Sequence, residues 1–206
     1  MFARSTTIMG NPEAIDPGIA YVRDEVMPSL LTIEGCVGLS MLVDRDSGQC
    51  IVTTSWQSEE AMRSSDLHLR PMRERAGELL GGQPQVEEWE IAVMHRDHRS
   101  SEGSCCRVVW MRANQTDMHR GIDIYRMSLL PRIESMPGFC SASLMVNREL
   151  QRACATTTFD TREAMEAARD EAWAIREEGV RDAGVDVLDV AEYELCLAHL
   201  RVPELV

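Results

Sequence analysis

What the 206-residue chain has little of narrows its roles before any motif is sought. Positive charge is scarce: 21 Lys and Arg against 34 Asp and Glu leave a formal charge of −13 at pH 7. Gripping a phosphate backbone depends on clustered cations, and an anionic bilayer repels an acidic protein, so neither nucleic acid nor membrane is expected as a partner. The acidic residues read as a solubilising surface on helix faces and turns. Long apolar runs are missing as well. Nothing approaches the ~18 residues that span a bilayer, and residues 1–6 show no basic segment leading into an apolar one. Cysteine occurs seven times without a C-x-x-C pair, which fits reduced thiols and a cytoplasmic protein better than a disulfide framework or a zinc cluster. His95-Arg96-Asp97-His98 carries ligand-type side chains but no further ligand at hand, so it reads as linker and no metal is expected. G-x-G-x-x-G, the P-loop, G-x-S-x-G and H-E-x-x-H are all absent. Nucleotide and hydrolase chemistry is left without support.

What is there is a repeat. Sliding the chain so that Arg4 falls on Arg107 also brings Asn11 onto Asn114, Gly35 onto Gly138 and Thr53-Thr54 onto Thr156-Thr157. The same register places Glu60-Ala61-Met62 on Glu163-Ala164-Met165. One inserted residue later, Glu88-Trp89-Glu90-Ile91 meets Glu192-Tyr193-Glu194-Leu195. A register held that long indicates duplication of a unit of about a hundred residues.

Each half reads as βαββαβ. Strand one covers Phe2–Met9, and in the second half Arg107–Arg112. Ile15, Ile19, Val22, Val26, Leu30 and Ile33 form one helical stripe, repeated from Met118 to Met136. Pro28 and Pro131 should kink or stop that helix. Alternating Val37, Leu39, Met41 and Val43 mark the next strand, followed by a turn and the β-branched strand Cys50–Trp56. Ser58 and Thr161 are placed to cap the second helix, which Pro71 should interrupt in the first half only. Trp89, Ile91 and Val93 share a face of the last strand. The paired Glu88/Glu90 and Glu192/Glu194 read as a solvated edge or a barrel lining, and Arg45 and Arg148 as surface residues of hairpin turns. The fold class is therefore α+β: two ferredoxin-like βαββαβ units, 1–96 and 106–206, joined by a linker over 97–105 and forming one intramolecular pseudo-dimeric barrel.

The run Thr53-Thr54-Ser55-Trp56-Gln57-Ser58-Glu59-Glu60-Ala61-Met62, repeated around Phe159-Asp160-Thr161-Arg162-Glu163-Ala164-Met165, resembles the antibiotic biosynthesis monooxygenase family of dimeric α/β barrels. There a strand ends in Trp and is followed by a cap, then Glu-Ala and a large apolar residue. The resemblance covers both halves. It implies a small-molecule-binding barrel and, among its members, cofactor-independent oxidation of flat phenols. Haem-degrading members place a second Trp and a ligating His where this chain has Ser65 and Glu74, or Ala168 and Glu177, so no haem is expected. The Asn and Tyr of quinone-forming members fall on Val52 and Met62, leaving Trp56 alone.

Contrast between the halves supplies the candidate site. Trp56, His68 and Arg70 face Phe159, Glu171 and Trp173 in the second copy. His68 is assigned as proton acceptor and Arg70 as anion partner, with Trp56 and Thr54 as substrate wall. The better-formed pocket is expected in the first half, with Trp173 filling its counterpart. Two readings stay open. One is a cofactor-independent monooxygenase-like protein for a small, flat aromatic molecule. The other is a non-catalytic ligand-binding or structural barrel. The protein would be a monomer or a homodimer.

Overall fold

In the computed structural model, residues 1–113, 118–200 and 202–205 are described; Asn114, the partner of Asn11 in the repeat, lies outside them. Among the described residues eight strands are present: β1 (Phe2–Met9), β2 (Cys36–Asp44), β3 (Gln49–Trp56), β4 (Gln85–Arg96), β5 (Cys105–Ala113), β6 (Phe139–Asn147), β7 (Arg152–Phe159) and β8 (Val185–Leu200). They hydrogen-bond in the order β1-β3-β2-β8-β5-β7-β6-β4 as a closed barrel, and the ladders β1–β3, β2–β3, β2–β8, β4–β6, β5–β7 and β6–β7 are antiparallel. The α+β class and the ferredoxin-like order of elements are as the sequence indicates.

The chain forms two compact units. The first consists of Met1–Trp89 with Glu194–Val202, and the second of Glu90–Tyr193 with Pro203–Val206. The reason lies in two ladders. The end of β8, Glu194–Leu200, pairs with β2, and the end of β4, Glu90–Arg96, pairs with β6. Each last strand is therefore divided between units at its middle.

In the first unit the early helix is α1 (Ile15–Tyr21), a π turn (Val22–Val26) and α2 (Met27–Leu30); the second unit repeats this as α5 (Met118–Ile124), a π turn (Tyr125–Leu129) and α6 (Leu130–Glu134). The prolines neither stop the helix nor break it. Proline has no N–H and its ring crowds the carbonyl four residues back, here those of Asp24 and Met127. The residue just before each proline instead bonds five residues back, Met27 to Val22 and Leu130 to Tyr125. A one-residue bulge absorbs the misfit.

The later helix is split in both units: α3 (Glu59–Ser64) with α4 (Asp66–Leu80), and α7 (Arg162–Ala167) with α8 (Arg169–Ala183). Pro71 is not the cause, because it lies inside α4 and the second unit breaks without a proline. The break is a flattened backbone turn, with ψ of −15° at Ser65 and 3° at Ala168. Ser58 and Thr161 cap as expected, accepting from the amides of Ala61 and Ala164 at 3.0 and 3.1 Å. Each unit has its own apolar core, one around Ile15, Leu39, Met41 and Trp56, the other around Ile122, Leu144, Phe159 and Ile175. All seven cysteines are free thiols.

Candidate functional site

The helices and sheet of the second unit line a partly open cavity of about 410 Å³, within the range of small-molecule sites. Its floor is β5–β7, with Val109, Leu144, Ala153 and Ala155; α5, α8 and the π turn form its walls. It opens because residues that fill the first unit are smaller here. At equivalent positions of the repeat, Leu69 becomes Ala172, Leu80 becomes Ala183, Val52 becomes Ala155 and Trp56 becomes Phe159. Leu80 is 2% exposed in the first unit, and a Cβ added at Gly18 would come within 2.6 Å of its Cδ2. At the equivalent Gly121, which lines the cavity, a Cβ would meet nothing within 4 Å.

One end of the cavity is cationic. Arg107 on β5 is 8% exposed. It donates through Nη2 to Glu192 Oε1 at 2.8 Å and to the carbonyl of Met165 at 2.9 Å. Its Nη1 is buried without a hydrogen-bond partner. The first unit shows how that donor lost its acceptor. Arg4, equivalent to Arg107, donates from Nη1 to Ser65 Oγ at 3.4 Å and lies 3.6 Å from Asp66. Those two positions are Ala168 and Arg169 in the second unit. A hydroxyl has gone and a carboxylate has become a guanidinium. Arg169, also lining the cavity, reaches Glu192 at 3.4 Å. Arg176 lies over the Trp173 ring at 4.2 Å and leaves its buried Nε unpartnered. An unpaired buried donor costs about 1–3 kcal/mol, so two arginines around one carboxylate, Arg107 and Arg169 on Glu192, suit an added anion.

The residues singled out from sequence lie elsewhere. Trp56 is fully buried core, its Nε1 donating to Thr54 Oγ1 at 3.0 Å, so those two do meet. His68 is on the exposed face of α4 with Nε2 3.0 Å from Ser29 Oγ. Arg70 is on the same helix, 59% exposed and paired with Asp66 at 2.6 Å. Neither described cavity is lined by any of the four. A groove of the first unit lies beside the α4–β4 turn, at Gly77, Gly81 and Pro84. Trp56, fully buried, lines neither of the two. Trp173 does not plug the second cavity either: it is 58% exposed at its rim. Ligand-type residues also prove to be closer together than the sequence implied, since Cys140 and Asp160 fold against His98.

Acidic residues of the last strands are clamped by arginine. Arg4 holds Glu88 at 2.7 Å, and Arg45 and Arg148, exposed as expected, hold Glu194 and Glu90 at 2.7 Å each. The hydrogen bonds from Arg148 and Arg45 hold the carboxyls of Glu90 and Glu194 below the usual range. Burial pushes the Tyr125 hydroxyl, at the cavity wall, well above its ordinary value.

No family model matches the chain. The uncharacterized protein Rv2557 of Mycobacterium tuberculosis (strain ATCC 25618 / H37Rv) is 53% identical over the whole of this chain and 92% of its own length. The uncharacterized protein Rv2558 of the same strain is 52% identical over the whole chain and 88% of its own length. The chain belongs to the Rv2557–Rv2558 family. In fold this family member is antibiotic biosynthesis monooxygenase-like. A provisionally assigned monooxygenase of Lactobacillus acidophilus NCFM superposes with TM-score 0.67 at 12% identity, covering 94% of this chain and 92% of that one. An anthrone oxidase-like protein gives 0.62 at 15% identity, over 94% and 90%. LmHde, a heme-degrading enzyme of Listeria monocytogenes, gives 0.54 at 9%, over 94% and 99%. Among the described residues no helix is long and apolar enough to cross a membrane.

Proposed function

We propose that this protein binds a small, largely apolar molecule bearing one anionic group, a carboxylate or a phenolate, in the cavity of the second unit. The observation that carries the proposal is the pairing of an apolar 410 Å³ space with Arg107, whose buried Nη1 lacks an acceptor. A guanidinium presents its donors in a fixed fork suited to such groups. Cofactor-independent oxidation of a phenol, which the family resemblance implies, needs a proton acceptor beside the substrate. The cavity offers Glu192, already engaged by Arg107 and Arg169, so binding is placed ahead of turnover.

Titration with 1-naphthoate and its neutral counterpart 1-naphthalenemethanol, followed by fluorescence of Trp173 in a variant lacking the other tryptophans, tests the reading. Ala183→Leu should weaken both ligands by about tenfold or more, some 1.4 kcal/mol. Arg169→Asp, restoring the charge of Asp66, should weaken the anion alone. Equal binding by wild type and Ala183→Leu would sink the proposal, and oxygen uptake with an added anthrone would promote turnover over binding.

A further inference from the structure

Apart from that cavity, three donors of different kinds meet in the second unit where the linker passes the start of β6 and the turn after β7. The ligating atoms of His98, Cys140 and Asp160 all lie within 4.8 Å of one another. His98 Nε2 is 2.7 Å from Asp160 Oδ1. Its other ring nitrogen, Nδ1, is 2.7 Å from Asp97 Oδ2. Cys140 Sγ lies 3.3 Å from the His98 carbonyl, and the Asp97 amide donates to the Cys140 carbonyl at 3.0 Å. Backbone and side chain thus hold the linker in place against β6.

We propose that His98 Nε2, Cys140 Sγ and one Asp160 carboxylate oxygen form a binding site for a divalent transition-metal cation of the zinc class. Imidazole, thiolate and carboxylate are the ligand types such ions take, and three protein ligands leave a fourth position for water. Asp97 supplies what a bare cluster would lack. By accepting from Nδ1–H it keeps a lone pair on Nε2, the ring nitrogen that faces Asp160, the carboxylate–histidine–metal arrangement that orients ligands at such centres. Coordination exchanges the Cys140 S–H bond for an S–metal bond and releases that proton to solvent. The His98–Asp160 hydrogen bond must part to admit an ion at about 2.0–2.1 Å from each. Both side chains are reachable from solvent, being 41% and 37% exposed. Equivalent chemistry is missing from the first unit, where Cys140 and Asp160 correspond to Val37 and Gln57.

The test is titration of the chelator-treated full chain with Co²⁺, read by its visible d–d bands and the near-ultraviolet thiolate-to-cobalt band. One equivalent should bring up both, and Zn²⁺ should displace it. Cys140→Ser should abolish the thiolate band, whereas Cys196→Ser should leave it. His98→Ala, a change in an exposed linker that the fold should tolerate, should abolish saturable binding. Asp97→Asn should keep the spectrum at saturation but weaken affinity by about 10–100-fold. Absence of a thiolate band in the wild type, or its survival in Cys140→Ser or His98→Ala, overturns the site and leaves a hydrogen-bonded linker clamp.

Discussion

Asp66, passed over in the sequence, gathers three arginines. It accepts from Arg70 and Arg73 and lies 3.6 Å from the buried Arg4. The hydrogen bond from Arg70, with help from Arg73, draws its carboxyl below the usual range despite partial burial. A folded-state value below the unfolded one means stabilisation fully present above the ordinary carboxylate range near pH 4, and lost as pH falls through the folded value. Asp66→Asn should therefore cost roughly 1–2 kcal/mol at pH 7. In urea unfolding between pH 7 and pH 2 the gap from wild type should close in the acid limb; a gap that stays constant refutes the linkage. His68 and Arg70 drew notice as reactive residue types, but chemistry depends on where a helix points them. That direction follows from the break at Ser65, which no residue type announces. Arg107 left a plainer trace, since Asp66 and Arg169 differ in sign at one position of the repeat.

At the scale of elements, order and type were legible because they rest on local periodicity: the apolar stripes, the alternation in β2 and the caps at Ser58 and Thr161 all appear as read. The π turns were not, since a proline signals a misfit without saying whether the chain stops or bulges. The cavity was not either, because its volume is a sum over β5, β6, β7, α5 and α8. Comparing the two halves position by position for size, Leu69 with Ala172 and Leu80 with Ala183, would have found it. Gly18 in α1 and Gly121 in α5 should therefore answer substitution with opposite signs. Gly121→Ala enters open space and should gain about 0.5–1 kcal/mol from helix propensity. Gly18→Ala presses on Leu80, and the same gain should be cancelled or reversed by a packing cost of about 1–3 kcal/mol. Denaturant midpoints at unchanged slope would check both, and like signs would contradict the packing difference behind the cavity.

At the scale of the molecule, ladder closure leaves no strand among the described residues with an open edge, the arrangement that protects sheets against edge-to-edge association. Removing residues 194–206 strips β2 of its partner Glu194–Leu200. The truncated chain should self-associate on size-exclusion chromatography in proportion to concentration, and a monodisperse monomer would show that β2 needs no cover. The same ladder sets the order in which the protein can be made. Arg45 and Glu194, joined by a 2.7 Å ion pair, lie 149 residues apart in the chain. Domains usually fold from the N-terminus as they leave the ribosome, at about 5–20 residues per second. Here the first unit cannot be completed until the last strand has been translated, after every helix of the second unit. The nascent chain must carry β2 uncovered for most of its synthesis, so exposure to chaperones and proteases is longest for the part that is made first.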